Sequence, residues 1–167
     1  MCFFVQEVNF FNIPKLKTSI NFLNMKIVLI GSGNIGYHLG LILSEKGYHI
    51  TQVFSRKKEK AQILAAKIKS YGITDLAEVD KYADLYILAV KDDAISSVSS
   101  TLAEYISPAA AVVHTSGGTS ITAIDPYFNT KGSFYPLQTF SIAQKELPDW
   151  KNIPISVDCT DAEVLQM

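Results

Sequence analysis

The sequence predicts an α/β domain built on a doubly wound, mainly parallel sheet. Short apolar runs alternate with segments of helical spacing from Lys26 onward. The first run, "KIVLI", lacks the polar alternation of a half-exposed strand, as expected for a strand covered on both faces. Glycines crowd the turn that follows it, and strand–helix alternation of this kind implies parallel strands joined by right-handed crossovers.

Composition fits this class. With 167 residues, 48% of them hydrophobic and 11% aromatic, the chain can bury one substantial core. Its 15 basic and 16 acidic residues nearly cancel, which removes the bulk electrostatic reason to expect nucleic acid or an anionic membrane as partner. Cys2 and Cys159 stand at opposite ends with no Cys/His cluster, so neither a disulfide framework nor a metal site is expected, and a cytoplasmic location is. Residues 1–24 read as an N-terminal extension. Their apolar run is broken by Gln6, Glu7 and Asn9, which makes a poor signal peptide, and the run is too short to span a bilayer. An edge strand or covering helix between Phe10 and Phe22 is the alternative. Residues 25–167 then form the domain.

The elements follow in order. Ile27 to Ile30 make the first strand; Asn34 to Lys46, with Ile35, Leu39, Ile42 and Leu43 at helical spacing, make a helix that Gly47 stops. "YHITQVF" is a second strand, and "KKEKAQILAAKIKS" a second helix offering Ile63, Leu64, Ala66 and Ile68 for packing. Gly72 to Asp75 reads as a short third strand and Asp84 to Val90 as a fourth, followed by a helix with Asp92 or Asp93 as N-cap. "AAAVVHTSG", "GSFYPLQTF" and "IPISVD" supply three more strands. Thr160 to Glu163 match a capping box, so a further helix should begin there. The chain stops soon after, which reads as a domain truncated at its C-terminus.

Gly31, Gly33 and Gly36 lie between first strand and first helix, where a dinucleotide-binding fingerprint must lie to work. Gly31 permits the tight turn, Gly33 lets a pyrophosphate approach the backbone, and Gly36 lets helix and strand pack closely. Ser32 completes the loop, and amides near Asn34 and Ile35 face the anion at the positive helix end. NAD binders place an acidic residue about 20 residues after the glycines to accept from the ribose hydroxyls. Here Ser55, Arg56 and Lys57 stand instead, with no carboxylate before Glu59. A hydroxyl, a guanidinium and an ammonium suit a ribose 2′-phosphate, so the expected cofactor is NADP. Ala89, Val90 and Lys91 end the fourth strand on the ligand-binding edge, Val90 toward the adenosine ribose and Lys91 toward the nicotinamide, with an ordinary exposed lysine as the alternative for Lys91. His114 and Ser116 end the fifth strand on that edge, with His114 the candidate proton donor and Ser116 its assistant. A packing role for His114 is the alternative.

Taken together these residues resemble the Rossmann-like NADP oxidoreductases related to pyrroline-5-carboxylate reductase and the F420-dependent NADP reductases. More narrowly, "VVHTSGG" followed by "GSFYPLQTF" resembles the DUF2520 type, whose members carry an "HTSG" loop, an "HPLQTF" segment and a largely helical C-terminal domain. The resemblance places Gly31, Gly33 and Gly36 in the cofactor loop, Ser55 and Arg56 in the 2′-phosphate pocket, and His114 and Ser116 near the nicotinamide. Tyr135 departs from it, standing where that branch has histidine. The helical domain, lacking here, completes the substrate cleft in related reductases and makes the dimer, which implies a homodimer for the full-length protein.

The function expected is hydride transfer between NADP and a small imine, carbonyl or alcohol. A non-catalytic NADP sensor is the alternative, and an NAD-linked or adenosyl-methionine-binding enzyme using the same loop is a third reading.

Overall fold

The computed structural model describes residues 25–143 and 148–160. Its sheet has seven strands: β1 (Lys26–Ile30), β2 (His49–Phe54), β3 (Tyr71–Ile73), β4 (Leu85–Leu88), β5 (Ala111–His114), β6 (Thr130–Pro136) and β7 (Ile155–Cys159). They run in the order β3-β2-β1-β4-β5-β6-β7. The first six pair in parallel, and β7 closes the edge antiparallel to β6. The order reverses between β1 and β4, and in such sheets the ligand crevice opens at that point, beyond the carboxyl ends of the strands.

Three helices cover the sheet: α1 (Asn34–Glu45), α2 (Lys58–Lys67) and α3 (Ile95–Ala103). On one face Leu39 of α1 and Leu64 of α2 pack with Ile27, Leu29 and Val53; on the other Ile95 and Leu102 of α3 pack with Val28, Ile30, Tyr86 and Leu88. β1 thus feeds both cores, with Val28, Leu29 and Ile30 all 0% exposed. Each such burial contributes about 1.5–3 kcal/mol, which is why this strand tolerates no polar alternation. Tyr86, equally buried, donates its hydroxyl to the Asp80 carbonyl. Burial pushes its pKa up to about 12, so the phenol stays a donor.

α1 ends as expected. Gly47 takes φ +85°, and the amides of Gly47 and Tyr48 reach back to the carbonyls of Ser44 and Leu43. Elsewhere three readings need correction. In α2 the buried stripe is Ala61, Leu64, Ala65 and Ile68, whereas Ile63 and Ala66 are exposed: an i, i+3, i+4, i+7 face admits the two small alanines against the sheet. Neither Asp92 nor Asp93 caps α3; both sit inside a short 3₁₀ turn, Asp92–Ala94, that leads into the helix without a side-chain cap. Strand bounds also differ from the apolar runs: β4 is confined to Leu85–Leu88 within the run 84–90, because pairing with a neighbour and not hydropathy sets strand ends. The Thr160 hydroxyl accepts from the Lys131 amide and so prolongs the β6–β7 pairing. The helix expected beyond it, and everything read in residues 1–24, lie outside the described residues.

Candidate functional site

The glycine loop joins β1 to α1 at the switch between β1 and β4. Gly31 has φ +119°, and a Cβ there would stand 2.2 Å from the Ala89 carbonyl oxygen, so only glycine fits the turn. Its amide donates to the Phe54 carbonyl, tying loop to β2. A Cβ on Gly36 would stand 2.2 Å from the Gly31 carbonyl oxygen and 3.2 Å from the Ala89 methyl, so α1 approaches the strand ends only because that position is bare. Gly33 differs: a Cβ there would meet nothing within 4 Å. It is the N-cap of α1, and the first helical bond runs from the Tyr37 amide to the Gly33 carbonyl. The amides of Asn34, Ile35 and Gly36 precede that bond and point out of the helix end without an intrahelical acceptor. An open cradle before amide donors at a positive helix end fits a pyrophosphate.

At the end of β2, Ser55 is 9% exposed and Ser32 6%. The Ser32 hydroxyl donates to Ser55 Oγ at 2.8 Å, and the Lys57 amide donates to the same oxygen at 3.4 Å. Arg56 and Lys57 are exposed, and neither has an ion-pair partner among the described residues. Lys57 is the N-cap of α2, so both cations sit at a helix end that favours anions.

Ala89 backs the glycine loop, its amide donating to the Ile30 carbonyl at 2.8 Å; Val90 is half-buried and Lys91 exposed. His114 is 0% exposed. Its Nδ1 accepts from the Ser116 amide at 3.2 Å, which places the ring proton on Nε2. Nε2 has no hydrogen-bond partner among the described residues. Burial holds the imidazole pKa below its usual value, opposed in part by the Ser120 backbone, Asp92 and Asp158, so the ring is neutral. Ser116 Oγ accepts from the amides of Gly118 and Thr119 and donates to Thr119 Oγ1 at 2.9 Å, a knot that shapes the loop. The half-buried Tyr135 ring lies over Gly117, so close that a Cβ there would stand 2.4 Å from Cε1. The sequence-derived residues therefore gather along one sheet edge in two groups, the loop with the β2 end and the ends of β4 and β5.

Residues 26–118 match the model of a family described as NADP oxidoreductase, coenzyme F420-dependent. The chain belongs to this family. Among solved structures, this member of the coenzyme F420-dependent NADP oxidoreductase family is similar to a Bacteroides fragilis protein provisionally described as an NADP oxidoreductase. Identity is 38% and the TM-score 0.79 over 85% of this chain and 54% of that one. A pyrroline-5-carboxylate reductase from Coxiella burnetii, 22% identical with TM-score 0.55, covers 66% of this chain and 43% of its own, and shares the fold. A curated relative, glycerol-3-phosphate dehydrogenase [NAD(P)+] of Leptospira biflexa, is 31% identical over 109 residues, 56% of this chain and 32% of the relative. This family member thus spans about half of the solved relative and a third of the curated one. The shared architecture is that of pyridine-nucleotide-dependent oxidoreductases.

Two features of this family member escaped the sequence reading. One is the Ser32–Ser55 bond, whose partners stand 23 residues apart. The other is the segment after β6, which crosses back to α1. His38 Nε2 donates to the Ser141 carbonyl at 2.9 Å, the Ile142 amide donates to Asn34 Oδ1 at 3.3 Å, and Phe140 lies between the rings of His38 and Trp150. His38 itself is buried, at 1% exposure. Its spacing from Asn34, one helical turn along α1, is the only trace in the sequence of the face that holds this segment.

Proposed function

We propose that this chain is the NADP-binding part of an oxidoreductase of the DUF2520 type that moves hydride between the nicotinamide and a small imine, carbonyl or alcohol. One observation supports it above the rest: an open glycine cradle at a helix N-terminus stands beside exposed Arg56 and Lys57, which have no ion-pair partner among the described residues, with no acidic residue at the end of β2. In this reading the amides of Asn34, Ile35 and Gly36 hold the pyrophosphate, and Ser55, Arg56 and Lys57 hold the 2′-phosphate. Ala89 and Val90 floor the crevice, while Lys91 borders its nicotinamide half. The cofactor supplies hydride chemistry at the nicotinamide ring. His114 and Ser116 set the loop beneath that ring, and a proton drawn from His114 must leave Nε2, the nitrogen that carries it.

A second reading, an NADP sensor without turnover, is favoured by one observation. Both acid–base candidates are buried, His114 at 0% and Ser116 at 7% exposed, and the Ser116 hydroxyl is spent on its own loop. Full-length protein that binds NADPH yet oxidises none of it across an imine and ketone panel establishes the sensor. The cofactor assignment is tested by titrating NADPH and NADH against the protein and Arg56→Ala. The expected result is tighter NADPH binding that falls roughly 10- to 100-fold in the variant, as for loss of a charge-assisted pair. Equal affinities, unmoved by the substitution, reject NADP.

A further inference from the structure

His114 and Ser116 are buried at the end of β5, yet a third proton-bearing side chain reaches the same place from β6. Val113 and Phe134 pack into the core on the α1 side of the sheet, and Val112 into the core on the α3 side. Side chains alternate along a strand, so His114 and Tyr135 both project on the α3 side. His114 pairs with Ser133, which puts Tyr135 two residues, roughly 6–7 Å, farther toward the carboxyl edge that bounds the crevice. The Tyr135 ring crosses over Gly117: a Cβ there would stand 2.4 Å from Cε1 and 2.8 Å from Cζ, the carbon that carries the hydroxyl. Gly117 is exposed, His114 is fully buried, and Tyr135 lies between the two. Its hydroxyl has no hydrogen-bond partner among the described residues. Ser116 Oγ, by contrast, is engaged by the amides of Gly118 and Thr119 and by Thr119 Oγ1.

We propose that Tyr135 is the catalytic acid: its phenol, held over Gly117 at the crevice edge, gives the proton that completes reduction of a carbonyl or imine. Such a reduction adds one hydride and one proton. The hydride is the nucleotide's. The proton leaves Tyr135 as its O–H bond breaks and an O–H or N–H bond forms on the substrate, and water then returns a proton to the phenolate, since the half-buried ring stays open to solvent. Tyr135 thereby meets the two demands that His114 fails, a free donor and access to the crevice. This rests on the oxidoreductase reading above and adds to it a residue on a different strand.

The test uses full-length protein and the imine or ketone of the panel that wild type reduces fastest, with Tyr135→Phe, Tyr135→His and His114→Asn compared for rate, NADPH affinity and urea midpoint. Tyr135→Phe keeps the ring over Gly117 and removes only the hydroxyl. Its kcat and kcat/KM should fall together by at least about 100-fold, the effect of a lost general acid. Its NADPH affinity should stay within about twofold of wild type, because the missing group acts only in the transition state. Tyr135→His, which restores a ring with a proton to give, should recover part of the rate. It should also move the alkaline limb of kcat/KM down by roughly 2 units or more, since an imidazolium gives up its proton well below a phenol. A ring that merely packs on Gly117 would produce no such move. If wild type binds NADPH and reduces nothing in the panel, the oxidoreductase reading fails and takes this assignment with it. If wild type turns over and Tyr135→Phe keeps the rate, or loses NADPH affinity in step with it, or if His114→Asn alone abolishes turnover, Tyr135 is not the acid.

Discussion

Gly36 rests against Gly31: a methyl on Gly36 would stand 2.2 Å from the Gly31 carbonyl oxygen. Two glycines of the loop thus serve the fold, and the third does not. Gly31→Ala meets both a positive φ and the Ala89 carbonyl, so its expected cost is about 3 kcal/mol. Gly33→Ala meets nothing and should cost at most about 1 kcal/mol, the difference between the two residues at an N-cap. NADPH affinity should nevertheless fall at least about tenfold in Gly33→Ala, as one amide–phosphate bond is lost. Urea midpoints and nucleotide titration separate the two effects; a stable Gly31→Ala would contradict the first.

Lys69 carries φ +55°, the one positive φ outside glycine among the described residues. It follows the C-terminal end of α2, where the Ser70 amide reaches back to the Ala65 carbonyl at 2.9 Å. A helix end of this form favours glycine, which Gly47 supplies after α1. Lys69→Gly should therefore raise stability by about 0.5–1 kcal/mol in spite of its greater unfolded-state entropy. A drop in the urea midpoint would refute this.

These two positions show what was legible. Gly47 announced its helix end because glycine is the residue such an end prefers, whereas Lys69 gave no sign of the same geometry. The strand–helix order, the tight turn at Gly31, the close helix–strand packing at Gly36 and the edge on which His114 lies were readable from local pattern. The inward face of α2 was not, since Ala61 and Ala65 pack through small size and not through hydropathy, and Ile63 was the stronger apolar signal yet points out. Contacts such as Ser32–Ser55 and His38–Ser141 depend on how far apart two strand ends fall in space, and no period in the sequence carries that distance.

Tyr135 and Gly117 are packed so closely that Gly117→Ala forces the ring aside. The expected cost is about 1–3 kcal/mol. It should vanish in a Tyr135→Ala background, where the obstacle is gone. A double-mutant cycle by urea unfolding measures this, with a coupling energy near the whole single-mutant cost as the expected outcome. Independent, additive costs would show that the loop accommodates a methyl in some other way.

His114 gives the fold a dependence on pH whose sign follows from its burial. The folded-state pKa lies below the usual value, with desolvation the leading cause and the Ser120 backbone, Asp92 and Asp158 opposing it. Below about pH 6.5 the unfolded chain binds a proton at this histidine. The folded chain resists that proton, so stability falls as pH drops from about 6.5 toward the folded pKa, and His114 adds no slope above that window. His114→Asn retains an acceptor for the Ser116 amide but cannot titrate. Thermal unfolding between pH 7.5 and 5, a range of about 2.5 units around the reference value, should show wild type losing more stability on acidification than His114→Asn. Identical slopes would mean that the imidazole gains its proton in the folded state as readily as in the unfolded one.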